Sequence, residues 1–134
     1  MTNLSADTYL LQNQLNPFPV ASKLELVGSK LTCTLRPMAA HAFTGWIEKA
    51  IDDSSAKDKI EAGVAVTVFE IDVNGVEIAW PKQFAGSAMK IACGDRDWLV
   101  SLVYPTGALA AVKMFTNRKE SKKWREALTA SGAR

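Results

Sequence analysis

Residues 72–80 read DVNGVEIAW, an Asn-Gly pair inside an alternating apolar run, and the reading of that pair decides the fold. Asn-Gly flanked by alternating hydrophobics is the strongest short-range hairpin signal, because a type I′ turn requires φ > 0 at both central residues. With Asn74 and Gly75 as the turn, Val73 faces Val76, Ile71 faces Ile78 and Phe69 faces Trp80. Asp72 then meets Glu77, and Glu70 meets Ala79, on the other side. One face is wholly apolar and the other acidic, as expected of a sheet that covers a core on one side.

The same rule works outward along the chain. In SKLELVGSKLTCTL (22–35) a Gly28-Ser29 turn pairs Leu26 with Leu31, Leu24 with Cys33 and Ser22 with Leu35. In MKIACGDRDWLVSLVY (89–104) a turn within Gly94–Asp97 pairs Cys93 with Trp98, Ile91 with Val100 and Met89 with Leu102. The second face of this last hairpin, with Ala92, Leu99 and Val103, is less polar, which suits a pair covered in part on both sides. Six strands follow from turn chemistry, and DTYLLQNQ (7–14) is a candidate seventh, closed off by the Asn16–Pro19 turn region.

Two helices complete the pattern. In MAAHAFTGWIEKAIDD, Phe43, Trp46, Ile47, Ala50 and Ile51 recur at helical spacing and predict a helix over about 40–53, followed by a polar loop, DDSSAKDK. Asn117 with Glu120 three residues on resembles a capping box, and Trp124, Ala127 and Leu128 form an apolar stripe, which predicts a helix over about 117–130. Residues 106–115 suit either a short helix or a strand. The expected fold class is therefore α+β in a single domain, residues 1–134: a bent antiparallel sheet or partly open barrel of six to seven strands, with an inserted helix and a C-terminal capping helix.

Antiparallel hairpins followed by a C-terminal helix carrying a Trp resemble the pleckstrin-homology-like families, including their bacterial and GRAM-like members. The residues that carry the resemblance are VFEIDVNGVEIAW, MKIACGDRDWLVSLVYP and KESKKWREAL, over roughly residues 64–130, with Trp124 in the place of the family's helix tryptophan. The resemblance implies seven strands in a bent, nearly orthogonal sandwich, a terminal helix that plugs one open corner, and a core position for Trp124. Val27–Lys30, the first hairpin loop, offers one lysine, so the family's lipid-headgroup binding is not carried over.

Composition narrows the function classes. The chain of 134 residues is 48% hydrophobic, enough for one core, and its 16 basic and 14 acidic residues give a net charge of +2, which lacks the signature of a dedicated nucleic-acid binder. No segment approaches the roughly 20 apolar residues that span a bilayer, and the N-terminus lacks a secretory pattern, so the expectation is a cytoplasmic protein that is not transmembrane. Cys33 and Cys93 fit neither a zinc nor a redox spacing and are expected as buried thiols.

Chemistry-bearing motifs are scarce. His41 is the one histidine, with no nucleophile cued beside it, and no GxGxxG, Walker A or HExxH occurs. Glu70, Asp72 and Glu77 would share one face, with Asp72 and Glu77 as a like-charge pair, but they lack the ligand count of a hard-cation site. No catalytic residue, metal ligand or cofactor is assigned. Trp80, at a strand end before Pro81, has the core as its default place; the alternative is a rim position with Phe84, in contact with a partner or ligand.

Charge is concentrated at the end of the chain: from Lys113 to Arg134 there are seven basic residues and two acidic ones. On a helix, Arg118, Lys119 and Lys122 point away from the Trp124/Leu128 stripe and Lys123 and Arg125 flank it, a positive strip that is the candidate partner-binding surface. The expected function is a non-catalytic binding or scaffolding module that contacts another protein. The competing expectations are a small-molecule pocket or weak enzyme between sheet and helix, and recruitment to anionic surfaces through the basic helix. Unpaired sheet edges also leave a dimer open.

Overall fold

The computed structural model describes residues 3–11, 20–35, 56–64, 66–81, 87–93, 96–103 and 118–133. Among them the strands are β1 (Asn3–Leu11), β2 (Val20–Val27), β3 (Lys30–Leu35), β4 (Val66–Asp72), β5 (Ile78–Ala79), β6 (Ala88–Cys93) and β7 (Arg96–Ser101). The helices are α1 (Ala56–Glu61) and α2 (Arg118–Ala130). All seven strands form one antiparallel sheet in the order β4-β3-β2-β1-β7-β6-β5. The architecture is thus a seven-stranded antiparallel sheet with a C-terminal helix, and the sheet is not closed.

The β2–β3 hairpin has the register its turn dictates, with Leu26 opposite Leu31, Leu24 opposite Cys33 and Ser22 opposite Leu35. Gly28 supplies the left-handed backbone, at φ 64°. The β6–β7 hairpin is two residues tighter than expected, pairing Cys93 with Arg96, Ile91 with Trp98 and Met89 with Val100. Only residues 94 and 95 remain as the connection, and Gly-Asp is a favoured composition for a two-residue loop. Side chains alternate with a period of two, so a two-residue slip leaves each on its original face. Met89, Ile91, Trp98 and Val100 accordingly all enter the core.

The Asn-Gly stretch differs from its expectation in a more consequential way. A tight turn does form: Val76 N–H donates to the Val73 carbonyl at 3.0 Å, Asn74 N–H donates to Asp72 Oδ1 at 3.0 Å, and Gly75 has φ 82°. The flanking strands nevertheless part. β4 pairs with β3, Ile71 opposite Leu31 and Phe69 opposite Cys33, while β5 pairs with β6, Ile78 opposite Ile91. These two strands are the edges of the sheet, so the expected pairs Ile71–Ile78, Phe69–Trp80 and Asp72–Glu77 are not formed. Alternation reports which face meets the core and is silent about which strand lies alongside, and β3 offers β4 a ladder over its whole length.

A connection over residues 73–77 reaches at most about 17 Å when extended, so the two edges lie close together at this end and the sheet must curl. The core shows the same bend. Phe69 on β4 and Trp98 on β7 stand four strand steps apart in the order, about 19 Å in a flat sheet, yet their ring centroids are 6.0 Å apart. A bulge assists: the register jumps from Cys33–Phe69 to Thr34–Thr67, leaving Val68 over, and bulges bend and twist a strand.

The main core gathers Leu10, Leu24, Leu26, Leu31, Ile91 and Trp124 among others, and a buried hydroxyl pair, Thr8 and Ser22 at 2.7 Å, is set within it where β1 and β2 face each other. On the opposite side of the sheet Leu11, Ala88 and Leu99 are buried as a small second cluster with Val103 against them. This accounts for the less polar second face of the last hairpin. Strand β1 begins at Asn3, earlier than the candidate at 7–14, and Cys33 is fully buried.

Part of the stretch expected as a polar loop is helical instead. Residues Ala56–Glu61 form α1, built from good helix formers whose charged Asp58, Lys59 and Glu61 stay in solvent. It stops at Gly63, φ 77°, with Val64 N–H reaching back to the Lys59 carbonyl. The expected helix over 40–53 with His41 and Trp46, the side chain of Cys93, and residues 104–117 lie outside the described residues.

Candidate functional site

The candidate surface is built on α2, and its construction starts from four inward positions. Ser121, Trp124, Ala127 and Leu128 are buried, at the i, i+3, i+6, i+7 spacing of one helical face. Trp124 is only 1% exposed. The helix ends in a Schellman cap: Gly132 N–H donates to the Thr129 carbonyl, Ala133 N–H donates to the Leu128 carbonyl, and Gly132 takes φ 101°.

That cap is docked on two turns of the sheet. Gly75 N–H donates to the Gly132 carbonyl at 2.8 Å, and Ser131 Oγ donates to the Gly28 carbonyl at 2.8 Å. The Asn-Gly turn therefore has a second role beyond linking the sheet edges: it seats the end of the helix. One inward group is poorly served. Ser121 Oγ is buried without a hydrogen-bond partner among the described residues, so Ser121→Ala should raise the urea midpoint, by about 1 kcal/mol in stability, from relief of the buried hydroxyl and better helix propensity. A lowered midpoint would show that the hydroxyl is satisfied in solution.

With these four positions inward, the basic residues occupy one outward arc of the helix, with Arg118 and Arg125 toward one side of it and Lys119 and Lys123 toward the other. Arg125 lies over the Trp80 ring, its guanidinium carbon 4.8 Å from the ring centroid, and so fastens the helix to the end of β5. Arg118, seven residues earlier and on the same flank by helical geometry, is exposed. Trp80 is half-buried beneath Arg125 and packed against the core.

On the other flank Lys119, Lys122 and Lys123 line an open groove with Glu120, Glu126, Ala127 and, from the start of β1, Leu4. The groove holds about 750 Å³, within the size range of ligand-binding clefts. Lys122 is 3.9 Å from Glu126 across one turn, a loose pair between exposed groups. Lys119 and Lys123 have no ion-pair partner among the described residues. Leu4 was beyond sequence reasoning: it sits at the other end of the chain, and a single apolar residue in an alternating strand carries no sign of which helix will lie over it.

The acidic face is also rearranged. Glu70 pairs with Lys30 at 3.1 Å, and Asp72 stands opposite Lys30 in the ladder where Glu77 was expected opposite it. Lys90 pairs with Asp97 at 3.5 Å. Among the described residues no three His, Cys, Asp or Glu converge as a metal site, and no helix is long and apolar enough to cross a membrane. Compared with protein-family models and with curated proteins, the chain matches none.

Proposed function

We propose that the protein is a non-catalytic binding module of pleckstrin-homology-like fold that contacts another protein through the lysine flank of α2. The observation that carries the reading is the groove itself, where an apolar floor of Leu4 and Ala127 lies beside Lys119 and Lys123, which have no ion-pair partner among the described residues, and Lys122, held only loosely by Glu126. Such a surface is ordered by the core beneath it, because Trp124 and Leu128 fix the rotation of the helix and the Gly132 cap fixes its end. A lysine-rich rim around an apolar floor favours a partner of complementary charge over a second copy of the same surface. The fold part of the proposal draws support from the seven strands, the terminal helix seated on the sheet, and Trp124 in the core, the features that the resemblance implies.

The test compares wild-type protein with a Lys119→Glu/Lys122→Glu/Lys123→Glu variant as baits in lysate, at two salt concentrations. The three side chains are exposed, so stability should change by no more than roughly 0.5 kcal/mol per substitution. The expected result is a specific protein retained by the wild type, lost by the variant and weakened at the higher salt. Equal retention by both baits would remove α2 as the contact surface.

A further inference from the structure

We infer that the groove beside α2 takes an extended acidic segment of a partner protein, with carboxylates at two alternate positions and an apolar residue between them. The inference rests on the reading of α2 as the partner-binding face. Lys119 and Lys123 are one turn apart, a rise of about 6 Å along the helix. In an extended chain, residues two apart project to the same side at about 6.6 Å spacing. A strand running alongside the helix therefore offers its carboxylates at i and i+2 to the two ammonium groups in register, while residue i+1 turns away from the lysines, toward the apolar floor that Leu4 contributes from β1.

Charge and shape agree with this occupant. Helix α2 carries five basic and two acidic side chains, so it attracts anionic partners from solution. Lys119 and Lys123, having no ion pair among the described residues, need break none to bind. Glu120 and Glu126 stand on the same rim. A bilayer of contiguous anionic headgroups would press against those carboxylates as well as the lysines, whereas a peptide places its charges only at the lysines. The apolar floor likewise rewards a side chain such as Leu between the acids.

Titration of the full chain with the synthetic peptide Gly-Ser-Glu-Leu-Glu-Ser-Gly, followed by amide chemical shifts, tests the inference. Shifts should centre on Leu4, Lys119, Lys123 and Ala127. Replacing both glutamates of the peptide by Gln, or its Leu by Ser, should weaken binding, and Lys119→Glu/Lys123→Glu should weaken it on the order of tenfold or more. Equal binding by the Gln peptide, shifts elsewhere, or no shifts would overturn the inference. So would lysine-dependent binding to phosphatidylserine vesicles with no response to the peptide, which would assign the groove to a headgroup. If the peptide fails while capture from lysate still depends on the lysines, the acidic segment is wrong and the binding module stands. If capture is also indifferent to the lysines, both fall.

Discussion

Trp124→Ala should lower stability by about 4 kcal/mol, the cost of emptying a large buried aromatic site that neighbours can only partly refill. Among the described residues Trp124 is the largest of the fully buried side chains, and it lies where α2 meets the sheet interior. A loss of this size is a large share of the 5–15 kcal/mol that holds an ordinary domain together. The thermal midpoint should fall by on the order of 10–20 °C, and groove binding should fail with it, because Trp124 sets the rotation of α2. Thermal melts of Trp124→Ala and Trp124→Phe, read by far-ultraviolet circular dichroism, check this. The Phe variant should retain a large part of the lost stability, and a melt of the Ala variant within a few degrees of wild type would mean that the helix does not seal the core.

The second large effect is expected at Gly132. A Cβ there would stand 2.6 Å from Asn74 Oδ1 and 3.2 Å from Asn74 Cα, on a backbone at φ 101°. Gly132→Ala therefore combines left-handed strain with a contact against backbone, and should cost about 2–3 kcal/mol. Gly75→Ala is the matched comparison. Its φ is 82° but nothing lies within 4 Å of the added methyl, so strain alone should cost about 1 kcal/mol. Urea unfolding of the pair reads the difference. Equal losses would show that the helix cap does not press on the Asn-Gly turn.

These two sites show which features were legible in the sequence. The buried face of α2 was, because Trp124, Ala127 and Leu128 repeat at a period set by the helix alone. The β2–β3 register was legible because a two-residue turn fixes its own ladder. The third hairpin lost two residues of register and none of its face assignment, since a slip of two is invisible to alternation. Strand β5 defeats the local rule altogether. Val76, Ile78 and Trp80 continue the apolar alternation of β4 across Asn74-Gly75, because both sheet edges face the same core, and nothing in nine residues says that their ladders run to β3 and β6.

The same division holds for the candidate site. That α2 would be basic was plain from composition. That Arg125 would settle on Trp80 while Lys119 and Lys123 frame a groove required knowing which strands flank the helix. Leu4 joins the site only through the pairing of β1 with β2 and β7 at the centre of the sheet, a long-range outcome without a local signature.

The edge-to-edge crossing at residues 73–77 is the feature on which the sheet order, the seat of α2 and the groove all depend, and nuclear Overhauser contacts in the intact protein test it most directly. The account predicts cross-strand contacts between Ile78 and Ile91 and between Ile71 and Leu31, together with one from the Gly75 amide to Gly132. A backbone contact between Ile71 and Ile78, with none between Gly75 and Gly132, would restore the simple hairpin and contradict it.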